Sequence, residues 1–239
     1  MAGAIVLIAL GCGREEDQPL REAPVPPTAP AGRGSENRAM GTGQARDPQP
    51  FTLEQRLLDA VRRGDRPTIE RALELGATVQ AEDDLARSTV LLATKDAGDL
   101  DLVRWLHAKG APIDEPDVGG RTALSFAAEA GRLDLVRELV DDGAADDRRD
   151  GQQRAPLFHA VLGAHDDVVA FLLDRGADVN ARDQFGDTPL MMACAKGFAS
   201  TAALLLRHGA DPSIKDQEGR TAKERSAPGV EPCLGSPAR

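Results

Sequence analysis

Four histidines, three cysteines and several pairs of adjacent carboxylates are the groups in this chain whose chemistry goes beyond packing and solvation. His107, His159, His165 and His208 would need a second histidine at helical spacing, or a Cys-x-x-Cys pair, to build a metal centre. Neither arrangement occurs. Asp141-Asp142, Asp146-Asp147 and Asp166-Asp167 are sequence neighbours, which do not face each other on a helix, so solvated surface charge is their expected role rather than general acid/base work. A Gly-x-Ser-x-Gly elbow and a phosphate-cradling Gly-rich loop are both missing. Cys12, Cys194 and Cys233 are too scattered for a disulfide framework or a zinc site. Cys194 falls in a helical stretch where a small buried side chain is the plain reading. No catalytic residue, cofactor or metal is expected, and the chain reads as a non-enzyme.

The charge balance narrows the partner class. Asp and Glu outnumber Lys and Arg by 39 to 29, for a formal charge of −10, with both signs interspersed. A phosphate-tracking protein needs a basic stripe to displace counterions, and a base-stacking one needs aromatics; here aromatic residues make up 3% and Tyr is absent. Nucleic acid is therefore not an expected partner.

The elements that would position any site follow from one spacing. Asp84, Asp117, Asp150, Asp183 and Asp216 recur every 33 residues. Six residues after them come Val90, Ala123, Pro156, Pro189 and Ala222, preceded by Thr89, Thr122, Thr188 and Thr221, with only Ala155 breaking the threonine column. The same phase returns Gly110-Ala111, Gly143-Ala144, Gly176-Ala177 and Gly209-Ala210; one extra residue between Gly76 and Asp84 aligns Gly76-Ala77. In the fourth copy Thr188-Pro189 opens a helix, with a capping hydroxyl followed by a proline where no donor is needed, and Gly197 ends it about two turns later. A second apolar stretch, Ala202 and Leu204 to Leu206, runs to Gly209. Each unit is thus helix, turn, helix, loop, and such short helices must stack on their neighbours to bury an apolar face.

The segment Gly176-Ala177-Asp178-Val179-Asn180-Ala181-Arg182-Asp183-Gln184-Phe185-Gly186-Asp187-Thr188-Pro189-Leu190 closely resembles the ankyrin-repeat consensus. The resemblance extends over residues 51–224 and implies an all-α ankyrin-repeat solenoid: an N-terminal capping repeat, four full repeats and a partial C-terminal cap. Two departures stand out. The histidine usual after Thr-Pro-Leu is replaced by Leu92, Ser125, Phe158 and Met191, and Ala164 replaces the usual inner-helix glycine. Thr52-Leu53-Glu54-Gln55 fits a capping box that opens the first unit.

The family resemblance also implies where a protein partner is met: at the loop tips and the exposed side of the first helices. Carried over residue by residue, these positions include Leu85, Ser88, Val118, Arg121, Gln152, Arg154, Gln184, Phe185, Asp187 and Lys196. Leu85, Val118 and Phe185 are expected to form a row of apolar anchors, with Arg121 and Arg154 as polar clamps. Singly exposed apolar residues are also common without any binding role, and that alternative stays open. The expected product is a monomeric, non-catalytic protein-interaction module.

The amino terminus carries a separate signal. Residues 1–11 are almost wholly apolar, too short to span a bilayer, and end at Ala9-Leu10-Gly11-Cys12, which resembles the lipobox of bacterial lipoproteins. The resemblance implies a signal segment over 1–11 and lipidation of Cys12, placing the chain in the cell envelope facing the periplasm. Residues 12–50 are rich in Pro, Gly and charge without hydrophobic period and read as a disordered tether; residues 225–239 read as a disordered tail. The alternative is a cytoplasmic ankyrin-repeat regulator or enzyme inhibitor with no lipid anchor.

Overall fold

The computed structural model describes residues 52–227, and the expectations for Cys12, the signal-like segment, the tether, Cys233 and most of the tail lie outside them. Among the described residues the regular structure is helical. Paired helices follow one another as α1 (Leu53–Arg63) with α2 (Arg66–Glu74), α3 (Thr89–Leu92) with α4 (Leu100–Ala108), and α5 (Ala123–Glu129) with α6 (Leu133–Asp141). The series continues with α7 (Pro156–Leu162) and α8 (Asp166–Asp174), α9 (Pro189–Lys196) and α10 (Ala199–Arg207), and closes on α11 (Ala222–Arg225). None of these helices is long and apolar enough to cross a membrane.

The first helices of successive units pack on one another in one layer, and α4, α6, α8 and α10 pack in a second. Leu57, Val61, Ile69, Leu91, Leu102, Leu106, Leu124, Leu135, Leu139, Leu157, Leu172, Leu190 and Leu205 form one continuous buried core through all units. No single pair could enclose these side chains, so stacking itself supplies the burial. Polar links run along the outside of the second layer: Arg104 makes two hydrogen bonds of 2.6 Å to Glu138, Arg175 reaches Asp141 at 2.5 Å, and Thr201 donates to Asp166 at 2.6 Å.

The starts of α1, α5 and α9 are set by the threonines expected to set them. Thr52 and Gln55 make the reciprocal capping box, at 3.0 and 3.1 Å. Thr122 and Thr188 accept from Ser125 N and Met191 N. Ala155 heads α7 with no side-chain acceptor for the exposed amides. The turn between paired helices needs a left-handed residue, supplied by Gly64, Gly98, Gly131 and Gly197; Ala164 holds the same conformation at φ 56, where its Cβ is unfavourable.

One register differs from the 33-residue reading. In the first full unit the aspartate that organises the hairpin is Asp83, not Asp84: Asp83 Oδ1 accepts from Leu85 N at 2.9 Å and from Arg87 N at 3.0 Å. Ser88, rather than Thr89, caps the helix by accepting from Leu91 N, so Leu91, not Leu92, stands where the consensus has histidine. The extra residue therefore lies later, inside the first helix. There α3 widens into a π-helical turn, Ala93–Ala97, closed by Gly98 N donating to Ala93 O at 2.8 Å. An inserted residue is absorbed as a π-bulge without shifting the second helix.

Candidate functional site

Each hairpin is built on the carboxylate of its aspartate. Asp117 Oδ1 accepts from Gly119 N and Arg121 N, at 2.9 and 3.0 Å, and Asp150 from Gln152 N and Arg154 N, at 2.8 and 3.0 Å. Asp183 holds Phe185 N and Asp187 N at 2.8 and 3.0 Å, and Asp216 holds Glu218 N and Arg220 N at 2.9 Å each. These acceptors fold the loop back before the helix begins, because a short carboxylate can imitate a backbone turn. The tips then join one another. Val118 N donates to Leu85 O at 3.0 Å, Gly151 N to Gly119 O at 2.8 Å, Gln184 N to Gln152 O at 2.8 Å, and Gln217 N to Phe185 O at 3.1 Å. A continuous backbone ladder fixes the tips as one surface.

On that surface Leu85, Val118 and Phe185 are exposed, at 47%, 70% and 53%. They do not form a single column. Leu85 and Phe185 are the second residue after their aspartates, whereas Val118 is the first, a consequence of the Asp83 register. Gln152 and Gln184 are exposed tip residues; Gln152 accepts from Arg154 at 2.7 Å, and the Gln184 carbonyl accepts from Gln217 Nε2 at 2.7 Å. Lys196 is exposed at the end of α9.

Two expected contact residues turn inward. Ser88 is 2% exposed because its hydroxyl is the helix cap, and Asp187 is 4% exposed because Arg225 folds over it. Neither side chain is available to a partner while the unit stays folded.

Arg121 lies over Phe126, 3.8 Å from the ring centroid, and pairs with Glu129. Arg154 crosses to the next hairpin and donates to Asp183 from Nη2 at 2.9 Å and from Nε at 3.1 Å. Beside Arg154 lies a cleft of about 380 Å³, lined also by Phe185, Asp187, Met192, Asp216, Arg220 and Arg225. Arg225 Nη1 also reaches Asp216 Oδ2 at 3.2 Å.

Sequence reasoning missed Arg225 and its counterpart His159. Both stand nine residues after their hairpin aspartate, and both bend back to it, His159 Nε2 meeting Asp150 Oδ2 at 3.0 Å. A basic side chain at that offset was the available signal. His159 is buried, and desolvation, followed by the nearby Arg121 charge, lowers its pKa despite the Asp150 carboxylate and Glu129. Burial pushes the Asp187 carboxyl up, opposed by Arg225.

His107 and His165 have structural roles, and His208 is exposed at the end of α10. His107 Nδ1 lies 3.0 Å from Ala111 O. His165 Nε2 lies 2.9 Å from Glu129 O of the preceding unit, its ring filling the space that a Cβ on Gly131 or Gly163 would take. No group of three or more metal-ligating side chains converges among the described residues.

A stack of two-helix units with hydrogen-bonded tips and exposed apolar side chains along them defines a helical solenoid. The family model described as ankyrin repeats matches in three copies, over residues 57–150, 90–183 and 157–227, and the chain belongs to the ankyrin-repeat family. A search of curated proteins finds no match. Ankyrin repeats are protein–protein interaction modules and are generally non-catalytic.

Proposed function

We propose that the chain captures a protein partner along its hairpin tips and the adjoining surface of its first helices, using Leu85, Val118 and Phe185 as apolar anchors with Arg121 and Arg154 as polar clamps. The observation that carries this reading is the exposure of those three large side chains on tips that the backbone ladder holds rigid. Rigid, pre-placed apolar groups lose little conformational entropy on binding, which is what concentrates affinity in a few residues. Gln152, Gln184 and Lys196 supply the polar margin, and the chain acts as a monomer. Replacing Val118 and Phe185 together by Asp is expected to abolish partner capture while leaving the melting temperature unchanged, since neither side chain contributes to the core. Undiminished capture by V118D/F185D would remove the tips from the binding site.

The reading extends to location through Cys12, whose setting, Ala9-Leu10-Gly11-Cys12, resembles a lipobox. A lipid anchor there would hold the repeat stack in the bacterial envelope, facing the periplasm. Intact-mass analysis of the native amino terminus tests it: an acylated Cys12 supports the anchored form, and an unmodified Met1 or Ala2 supports a cytoplasmic regulator acting on an enzyme.

A further inference from the structure

The tips are bordered by a stripe of guanidinium groups that narrows the chemistry of the partner. Arg87, Arg121, Arg154 and Arg220 each stand four residues after their hairpin aspartate. The fourth unit has Asp187 at that place, and Arg225 folds back onto it, so a guanidinium is present at this level too. The pairing acids lie beneath. Side-chain exposure is 9% for Asp83, 0% for Asp183, 6% for Asp187 and 2% for Asp216, against 16% for Arg87, 15% for Arg154, 19% for Arg225 and 44% for Arg220. Two pairing acids are exposed instead: Glu129, at 45% against 24% for Arg121, and Glu218, at 69% against 44% for Arg220. At the hairpin bases the guanidiniums are therefore more exposed than the aspartates beneath them, which act as buried orienting groups.

We propose that this stripe, together with the apolar tips, selects an extended acidic segment of a protein partner, with carboxylates at about every third residue and aliphatic side chains between them. The inference rests on the tip-binding reading above and specifies the partner's chemistry. Its spacing comes from geometry: stacked helices lie about 8–10 Å apart. A segment in the extended polyproline II conformation has three residues per turn and advances about 3.1 Å per residue, so every third side chain faces the same way about 9 Å further on and meets the next guanidinium. Arginine presents a planar fork that fits a carboxylate, and the buried acids fix its orientation in advance, so the pairing loses little freedom when the ligand arrives. A basic segment would meet guanidiniums at every level, with exposed acids such as Glu129 and Glu218 beside only some of them.

Fluorescence anisotropy with the full chain tests the proposal, using labelled peptides that repeat Glu-Leu-Ser, Gln-Leu-Ser or Lys-Leu-Ser over about four repeats. The Glu peptide is expected to bind at least about ten-fold tighter than the Gln peptide, the Lys peptide to bind weakest, and added salt to weaken the Glu peptide selectively. Arg121→Gln and Arg220→Gln, at separate places along the stripe, should each weaken the Glu peptide several-fold and leave the Gln peptide unchanged; thermal melts check that both fold. Equal binding of the Glu and Gln peptides would overturn the acidic preference. If V118D/F185D still lost both peptides in that case, the tip-binding reading would survive. Binding of the Lys peptide alone, or of none of the three, would overturn the inference.

Discussion

Asp83 shows how much one carboxylate decides. Burial alone would push it up, but the Arg87 guanidinium, the backbone amides of Arg87 and Leu85, and Arg62 together hold its pKa down to about 2. Asp83→Asn should therefore cost about 1–3 kcal/mol in chemical denaturation, while Asp84→Asn at the exposed neighbouring position should be close to neutral. Because the folded pKa lies below the unfolded value of about 3.9, the contribution is complete above that pH and is lost as pH falls toward about 2. His159 titrates in another window. Its pKa is lowered by burial, so the unfolded chain binds a proton that the folded chain does not. Its stabilising effect is present above the unfolded value of about 6.5 and declines as pH falls below it. Denaturation midpoints between pH 7 and 5 should fall for the native chain and change less for His159→Gln; equal slopes would contradict the assignment. The facing charged groups, Asp150, Arg121 and Glu129, remain in that variant. Much of this layer was hidden in the sequence. Adjacent aspartates at 83 and 84 are chemically identical, and only the hydrogen bonds show which one folds the loop. The inward turn of Asp187 depends on Arg225, 38 residues away in the chain.

At the scale of the helices, the sequence was far more legible, because caps and glycines act locally. Thr52, Thr122 and Thr188 do what their place before an apolar face requires. Ala155 is the gap in that column. Its site is structurally equivalent to Thr122 and Thr188, so Ala155→Thr should let a hydroxyl accept from Phe158 N and raise stability by about 0.5–1.5 kcal/mol, read as a higher melting temperature. No gain would mean that the local backbone differs from its neighbours. The π-helical turn Ala93–Ala97 was not legible, since an unbroken 33-residue interval of aspartates concealed a one-residue insertion. Its result is to present Lys95, 5.3 Å from the Phe126 ring, and Asp96, 3.8 Å from Arg62, on the surface of the first helices.

For the whole molecule, the repeat fixed the architecture because short amphipathic hairpins have only each other to pack against, and Leu57 through Leu205 form one core as a consequence. Recognition did not follow from the period in the same way. The same stacking tolerates many side chains at the tips, so the repeat could indicate the surface without specifying its occupant. Among the described residues three of the four large exposed apolar side chains, Leu85, Val118 and Phe185, stand on the tips, the fourth being Leu75 at the end of α2, and ion pairs such as Arg104–Glu138 run along the second helices. Hydrogen–deuterium exchange of the chain with and without its captured partner tests this asymmetry most directly. Added protection should fall on the hairpins that carry Leu85, Val118, Gln152 and Phe185 and on the first helices beside them, leaving α4, α6, α8 and α10 unchanged. Protection confined to those second helices, with the tips exchanging freely, would contradict it.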